Sequence, residues 1–196
     1  MANPQLVTAP DADIQLLDVE EVLKPYLRLD TYDEDNTIEG LLAAAVTDAQ
    51  EYLGRRFLNH IYDYYIQDWP ECGYIELTPA PLVSVASITY TDCNGVAAVW
   101  PATEYLVDAV SEPGRVVRGY GKSWPGVTLG PSNPIVIRFT CCYGTDVADV
   151  PVRFLEWLKK DVAYRYENRE PGDKALQEAM KLQRQEDLGP ERIWRF

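Results

Sequence analysis

The sequence of 196 residues contains one histidine, His60, and no pair of cysteines with the C-x2-C spacing of a zinc site. A single histidine disfavours His-based metal sites and Ser–His–Asp catalysis, although a triad needs only one. The four cysteines are expected to be reduced thiols in a protein made in the cytosol; they are Cys72, Cys93, Cys141 and Cys142. Because an ordered acidic metal motif is missing too, we predict no enzyme activity, no catalytic or metal-binding residues and no cofactor.

Long apolar runs are also missing. None approaches the roughly 18 consecutive apolar residues of a membrane span, so no membrane association is expected. Residues 1–10 contain no basic region followed by an apolar one, and no secretory signal is therefore expected. Hydrophobic residues make up 46% and charged residues 25%, which is typical of a globular protein. The length corresponds to one domain, or to one domain with an insertion.

Positive charge is scarce and unevenly placed: 18 Lys and Arg stand against 31 Asp and Glu, a net charge of −13. Residues 1–60 contain 12 acids and 4 bases, net −8; residues 61–150 contain 10 and 4, net −6; residues 151–196 contain 9 and 10, net +1. Since phosphate contacts need concentrated positive charge, sequence-independent DNA binding and binding to anionic membranes are disfavoured. Any function must also account for this gradient.

The spacing of apolar residues predicts four helices after an extended lead-in over residues 1–17. They cover residues 18–29, 36–53, 151–170 and 174–186. Asn36 and Glu39 have the spacing of a capping box that opens the second helix, and Gly54 is placed to end it. Pro25 is expected to kink or end the first helix, and Pro151 suits the first position of the third.

Seven short runs between these helical regions predict β-strands, because they are rich in Val, Ile, Tyr and Thr and are separated by turn residues. They are Tyr62–Gln67, Tyr74–Leu77, Val83–Tyr90, Ala97–Trp100, Tyr105–Val107, Arg115–Arg118 and Ile135–Thr140. Asn94–Gly95 is the strongest hairpin signal, and it predicts a type I′ turn with positive φ at both residues.

The predicted fold class is therefore α+β: a helical frame with two N-terminal and two C-terminal helices, and between them a β-rich insertion of short antiparallel strands. The N-terminal helical part covers residues 1–60 and the insertion residues 61–149. The C-terminal helices over residues 150–188 complete the frame, and residues 189–196 form a tail.

A glycine- and proline-rich segment over residues 119–134 surrounds Trp124. It lacks the strand–G-x-G-x-x-G–helix context and the Lys-Ser/Thr of a phosphate-binding loop. Long loops of this kind are usually disordered or functional, so we predict an exposed loop. Its candidate partner-contact residues are Lys122, Ser123, Trp124 and Pro125.

The C-terminal tail alternates two aromatic residues with two arginines. Trp and Arg are the residue types most enriched at binding hot spots, and an exposed Trp and Phe are costly unless something receives them. The tail is therefore either a docking segment for a partner or docked on its own chain. Its residues are Arg192, Ile193, Trp194, Arg195 and Phe196.

Three other groups of side chains have a structural interpretation beside a functional one. Carboxylate clusters at Glu20–Glu21 and Asp33–Asp35 lack the calcium-loop pattern, and solvated acidic turns are preferred. A tyrosine cluster without accompanying basic residues is expected to pack a sheet or subunit face rather than nucleotide bases; it comprises Tyr62, Tyr64 and Tyr65. A basic series interleaved with acids is expected to be a solvated or salt-bridged helix face rather than a phosphate site; it comprises Lys159, Lys160, Arg165, Arg169 and Lys174.

Several short motifs follow one another in a specific order and spacing. They are Leu17–Glu21, Leu27–Leu29, Ala43–Ala45, Glu51–Arg56, Pro79–Val85, Ile88–Asp92, Asn94–Gly95, Glu112–Arg115, Trp124–Pro125, Cys142–Gly144, Val150–Pro151 and Tyr166–Glu170. In this order the sequence resembles the head–tail connector (adaptor) proteins of tailed bacteriophages. The resemblance covers Leu17 to Glu170, and the residues beyond it match no part of the family pattern.

The resemblance implies a structural virion protein that is located in the neck and assembled in the host cytoplasm. Family members form a ring, usually of twelve copies, beneath the portal, and the ring extends the DNA channel and receives the stopper or tail. The implied partners are therefore the portal protein, a stopper or tail-completion protein, other copies of the chain, and double-stranded DNA that passes without specific binding. The C-terminal segment of such adaptors commonly docks into the portal, which implies that role for Arg192–Phe196.

Composition is compatible with this class. Thirteen tyrosines and five tryptophans supply interface material, and acidic walls let a DNA duplex slide. Alternative hypotheses are a stopper or tail-completion protein, and a DNA-packaging accessory factor, which the negative charge disfavours. A stopper is more usually a small β-barrel, so the predicted long helices favour the adaptor.

Overall fold

The computed structural model describes residues 3–10, 15–168 and 174–193. The chain divides into two compact units. The strand unit comprises Met1–Asp11 and Arg55–Thr145, and the helical unit comprises Ala12–Gly54 and Asp146–Phe196. The first is built on antiparallel sheets and the second on helices, so the predicted α+β class is confirmed. Among the described residues, no helix combines the length and apolar character needed to cross a membrane.

The helical unit has four α-helices within the described ranges. They are α1 (Lys24–Leu27), α2 (Asp35–Leu53), α3 (Val152–Glu167) and α4 (Lys174–Leu188). A π-helical turn, Val19–Leu23, leads into α1, and a short 3-10 turn, Gly189–Glu191, follows α4. The predicted helices are thus present, with ends shifted by a few residues.

Helix α2 packs against α3 through one apolar stripe. The buried residues of the stripe are Ile38, Leu42, Ala45, Ala49 and Leu53, spaced three or four residues apart as predicted. Gly54 ends the helix at φ +67°, and its N–H donates to the carbonyl of Gln50, which confirms the predicted termination.

The start of α2 differs from the prediction. The helix begins at Asp35 and Glu34 occupies the cap position, so the predicted capping box of Asn36 and Glu39 is wrong. Tertiary contacts hold this end instead: the Tyr166 hydroxyl donates to the Glu34 carboxylate, and the Lys24 ammonium lies 2.7 Å from an Asp35 carboxylate oxygen. Contacts between residues so far apart in sequence cannot be predicted from the local spacing of residues.

Two prolines lie at helix boundaries. Pro25 lies in the first turn of α1, directly after the π-helical turn, and the helix ends two residues later at Leu27, in keeping with the expectation that Pro25 kinks or ends the first helix. Arg28 at φ +58° ends that turn. Pro151 precedes α3 as its cap residue, one position earlier than predicted.

The strand unit contains eight strands within the described residues. They are β1 (Asn3–Thr8), β2 (His60–Ile66), β3 (Tyr74–Leu77), β4 (Leu82–Thr91), β5 (Ala97–Trp100), β6 (Tyr105–Asp108), β7 (Gly114–Arg118) and β8 (Ile135–Cys141). One antiparallel sheet has the order β1-β2-β8-β4-β5 and the other the order β3-β7-β6. All seven predicted strands are confirmed.

Strand β1 lies where an extended lead-in was predicted. It pairs with β2, with Leu6 opposite Tyr62, and forms an edge of the larger sheet. An edge strand tolerates a proline, here Pro4, because half of its backbone groups need no sheet partner. Its pairing is set by a strand more than 50 residues away in sequence, which the local pattern does not show.

The hairpin between β4 and β5 is confirmed, but its turn type is not. Gly95 has φ +82°, whereas Asn94 is not in the positive-φ region, which excludes type I′. The Gly95 N–H donates to the Asp92 carbonyl at 3.1 Å, as in a three-residue loop ending in a left-handed glycine. The Asp92 carboxylate accepts from the backbone N–H groups of Asn94 and Val96, and these bonds lower its pKa and favour this loop over a two-residue turn.

The core of the strand unit is apolar and aromatic. Strand β8 crosses the middle of the larger sheet, and its alternate residues are fully buried: Ile135, Ile137, Phe139 and Cys141. The smaller sheet contributes Ile75, Leu77 and Val116 to the same cluster. Each such side chain stabilises the fold by roughly 2 kcal/mol through burial.

Candidate partner-binding surfaces

The predicted contact loop is attached to the strand unit by its tryptophan. The Trp124 ring stacks on Trp69 at a centroid distance of 5.2 Å and lies 5.1 Å from Trp100. Its indole N–H donates to the Cys72 carbonyl at 3.3 Å. Trp124 and Pro125 are therefore half-buried, and the expectation of an exposed loop is wrong at these two residues. Stacking of three indoles removes more apolar area from water than an extended loop does.

The exposed part of this loop comes just before Trp124. Lys122 and Ser123 are exposed as predicted, with the Lys122 ammonium 3.0 Å from a Glu104 carboxylate oxygen. Tyr120 is 94% exposed, although the sequence analysis did not select it. Gly121 at φ +70° provides the left-handed turn that follows this tyrosine. The surface available for a partner is thus centred on residues 120–123.

The start of the C-terminal tail is docked on α2 in the helical unit. The Ile193 N–H donates to the Leu53 carbonyl at 2.8 Å, and both Arg192 and Ile193 are half-buried. The Arg192 guanidinium lies 4.7 Å from the Tyr52 ring centroid, within cation–π range. Trp194, Arg195 and Phe196 lie outside the described residues. Of the two predicted alternatives, the first two tail residues adopt docking on their own chain.

A groove with basic and aromatic walls lies beside this docked segment. We call it the basic groove, and its main residues are Tyr52, Lys181, Arg184, Glu186 and Arg192; its volume is about 650 Å³. The sequence analysis missed it, although Lys181 and Arg184 have the i, i+3 spacing that places two side chains on one helix face. The proximity of α4 to the end of α2 depends on tertiary packing.

The basic face of α3 is a salt-bridged one. The Arg165 guanidinium donates to Asp161 at 2.7 Å and to Asp48 at 2.6 Å. Burial alone would lower the pKa of Arg165, but these two carboxylates raise it above its usual value. Lys159 pairs with Glu156. The salt-bridge interpretation is confirmed for Lys159 and Arg165, whereas Arg169 and the Lys174 side chain lie outside the described part of the chain.

The remaining clusters have structural roles in the described chain. Asp35 pairs with Lys24, and no group of three potential metal ligands occurs among the described residues. Tyr62 stacks on Phe139 and Tyr64 meets the same ring edge-on, so these tyrosines pack a sheet as predicted.

Residues His60 and Cys141 stand opposite each other on β2 and β8. Burial raises the pKa of the Cys141 thiol to about 12, so the thiol stays protonated at neutral pH. Burial also lowers the pKa of His60, and its Nδ1–H donates to the Leu58 carbonyl at 2.7 Å. An activated cysteine requires the opposite shift of the thiol pKa. The geometry therefore keeps both side chains neutral.

Neither the known protein-family models nor the curated proteins give a match to this chain. Solved structures do. A chain in the neck of an empty gene transfer agent particle, computed with C6 symmetry, is 22% identical with a TM-score of 0.78, and the match covers 100% of this chain and 97% of that one. A chain in the neck of the native particle, computed with C12 symmetry, is 21% identical with a TM-score of 0.77 and the same coverage.

A third similar chain belongs to the virion of the native gene transfer agent particle. It is 22% identical with a TM-score of 0.75, and the match covers 98% of this chain and 96% of that one. Because the matches span both chains almost completely, they apply to the strand unit and the helical unit alike. The chain therefore has the fold of a protein found in the neck of these particles, and the resemblance noted in the sequence is confirmed at the level of the fold.

Proposed function

We propose that this chain is a structural neck protein of a phage-like particle, and specifically the head–tail adaptor that forms a ring under the portal. The observation that carries the proposal is the full-length fold match to chains of gene transfer agent necks. Fold alone does not define function, but the match extends over both units of the chain and so supports a role of the same kind. We propose the neck as its location in the virion.

In this proposal the ring has twelve copies and extends the DNA channel. The necks that contain similar chains were computed with C6 and with C12 symmetry, and a ring of twelve copies is compatible with both. In this proposal the helices within residues 1–60 and 150–188 form the frame of the ring, and residues 61–149 form the β-rich insertion. The net charge of −13 supports a channel that double-stranded DNA traverses without binding.

Two surfaces contact the neighbouring neck proteins in this proposal. The tail, with Trp194 to Phe196 beyond the docked Ile193, enters the portal. The loop at Lys122 and Ser123 faces the stopper or tail-completion protein. The exposed Tyr120 supports the second assignment, since exposed aromatic residues are enriched at interfaces.

A stopper or tail-completion protein of the same neck is the second candidate. The structure favours the adaptor, because α2 with 19 residues and α3 with 16 make up a helical unit that a small β-barrel stopper does not need.

Electron microscopy of the full chain mixed with its cognate portal protein tests the proposal. We expect a ring coaxial with the portal, with twelve copies. If the chain does not bind the portal itself and binds only the far side of an adaptor ring already assembled on it, the adaptor assignment is contradicted and the stopper assignment is supported.

Portal docking by the tail is tested with a truncation that keeps the docked residues Arg192 and Ile193. Removing residues 194–196 retains the hydrogen bond between Ile193 and Leu53, so the melting temperature should stay unchanged while portal binding is lost. Unchanged portal binding would contradict portal docking by the tail.

A further inference from the structure

We propose that the basic groove of one copy receives an acidic loop of a second copy, so that copies join head to tail. We define the acidic loop as residues 30–33, which lie just before Glu34, the cap residue of α2. The proposal rests on the ring of the proposed function and assigns the surfaces that build it.

The basic groove offers positive charge around an aromatic wall. Arg192 and Arg184 lie over the Tyr52 ring, at 4.7 and 6.0 Å from its centroid, and Lys181 is exposed beside them. Among the described residues that line the groove, three are basic and one, Glu186, is acidic; Arg184 also lies 4.0 Å from an Asp48 carboxylate oxygen, so the exposed Lys181 is the clearest positive charge offered to a partner. A volume of about 650 Å³ is in the range of sites that hold whole side chains.

The acidic loop has the complementary chemistry. Asp30 and Asp33 are exposed, and between them Tyr32 is 72% exposed. The ammonium of the buried Lys24 lies 3.9 Å from the Tyr32 ring centroid, which fixes the position of the ring, and the two carboxylates are exposed. Arg28 is the nearest exposed base in sequence. Carboxylates with a tyrosine fit a groove of lysine, arginines and tyrosine, since Tyr and Arg are enriched at interfaces.

The length of α2 shows why the loop and the groove must come from different copies. The loop lies before Asp35 at one end of the helix, and Tyr52 lies in the last turn at the other. At a rise of 1.5 Å per residue these ends are about 26 Å apart, so a four-residue loop cannot reach the groove of its own chain. In this pairing a copy that receives a loop in its groove offers its own loop to a different neighbour, which makes the contact heterologous, and heterologous contacts form rings when their rotation closes.

The net charge supports the same pairing. Copies that each carry −13 repel one another, so association requires a contact where positive charge is concentrated. The basic groove supplies such a place within the helical unit, in the last 46 residues that hold 10 of the 18 bases.

Zero-length cross-linking of an isotope mixture tests the contact directly. Unlabelled and nitrogen-15-labelled full-length chains are mixed equally and treated with a carbodiimide, which joins an amine to a carboxylate in contact. We expect a mixed-isotope link between Lys181 and Asp30 or Asp33 that grows with protein concentration and weakens with salt. Lys181 links found only within one copy, or only to other carboxylates, overturn the proposal.

Charge exchange supplies the second test. One variant carries Lys181→Glu and Arg192→Glu, and the other carries Asp30→Lys and Asp33→Lys; circular dichroism checks that both fold. We expect each alone to self-associate about tenfold or more weakly than the native chain in native mass spectrometry, because like charges then meet. Their equal mixture should associate again, in oligomers that alternate the two variants. A mixture that remains dissociated overturns the pairing.

The control keeps the charge change but moves it away from the groove. Lys160→Glu, at an exposed residue of α3, alters net charge as much as Lys181→Glu alone does and should retain self-association, whereas Lys181→Glu should weaken it. If a portal segment is the true occupant of the groove, the groove variant loses portal binding and the exchange partner restores nothing, which overturns the proposal. Rings that still form on the portal with either exchanged variant alone would overturn this pairing while leaving the adaptor function intact.

Discussion

In the strand unit, aromatic and β-branched side chains fill the core, whereas in the helical unit ion pairs between arginines and carboxylates add to the apolar stripe of α2. Trp69, Trp100 and Trp124 stack in the former. In the latter, Arg165 bridges Asp48 and the buried Asp161. The strand unit thus uses its aromatic residues internally, and the helical unit keeps bases near its surface, where charge complementarity can select a partner.

Only part of the positive charge in residues 151–196 is available to a partner. The excess of bases in the last 46 residues does not all face solvent, because Arg165 and Lys159 neutralise acids of their own unit. The groove at Lys181 and Arg192 is what the helical unit presents to a partner. In the strand unit, by contrast, Trp124 is withdrawn from the predicted contact loop and Tyr120 is presented instead.

The largest expected loss of stability comes from truncating a buried side chain in the core of either unit. Phe139→Ala in the strand unit should lower the free energy of unfolding by about 4 kcal/mol, and Leu158→Ala in the helical unit by about 3 kcal/mol, because both side chains are fully buried. Hydrogen exchange resolved by segment measures where protection is lost. Loss confined to the mutated unit would show that the units open separately, and equal loss throughout would show a single cooperative fold.

The buried ion pair between Arg165 and Asp161 is expected to stabilise the helical unit. Arg165→Leu should cost about 3 kcal/mol of unfolding free energy in urea, because it leaves Asp161, which is 2% exposed, buried without its partner. Arg153→Leu is the matched control, since Arg153 pairs with Glu191 at the surface and should cost less than about 1 kcal/mol. Equal effects of the two substitutions would argue against a special role for the buried pair.

In the loop of the strand unit, Trp124 is expected to contribute to stability and Lys122 is not. Trp124→Ala should reduce the unfolding free energy by about 2 kcal/mol through lost stacking and burial. Lys122→Ala should change it by less than about 0.5 kcal/mol, since its pair with Glu104 is exposed. If the Trp124→Ala variant is as stable as the native chain, the stacking of Trp124 does not stabilise the fold, and Trp124 is again a candidate for partner contact.

The smallest expected effect is a pH dependence confined to the strand unit. The folded pKa of His60 lies below 6.5 because of burial, so the unfolded chain binds the proton more tightly. The stability contributed by neutral His60 is therefore present above pH 6.5 and is lost as pH falls through the lower folded pKa. Urea midpoints measured from pH 7.5 downward should fall in this window, and His60→Asn should remove that part of the slope. A slope that persists in the variant would assign it to carboxylates.

Local patterns predicted elements well and their ends less well. The seven strands and the stripe of α2 follow from periodicity, because one buried face imposes a spacing on the sequence itself. The type I′ turn at Asn94–Gly95 was wrong because Asp92 provides side-chain acceptors for a longer loop. The capping box at Asn36 was wrong because Tyr166, more than 100 residues away, holds the start of the helix.

The candidate surfaces show the same division. Residue type selected the tail and the loop, and Lys122 and Ser123 are indeed exposed. Residue type could not show that Trp124 stacks on Trp69, nor that α4 and the end of α2 enclose a groove around Tyr52. Both depend on which distant segments meet.

The sequence by itself determined the α+β class, the strands, the main helices and the uneven charge, since these depend on side chains close together along the chain. Only the tertiary structure decided the pairing of β1, the burial of Trp124, the network at Arg165 and the basic groove. Each of these joins residues far apart in sequence, and a contact of that kind is defined by three-dimensional packing rather than by local spacing.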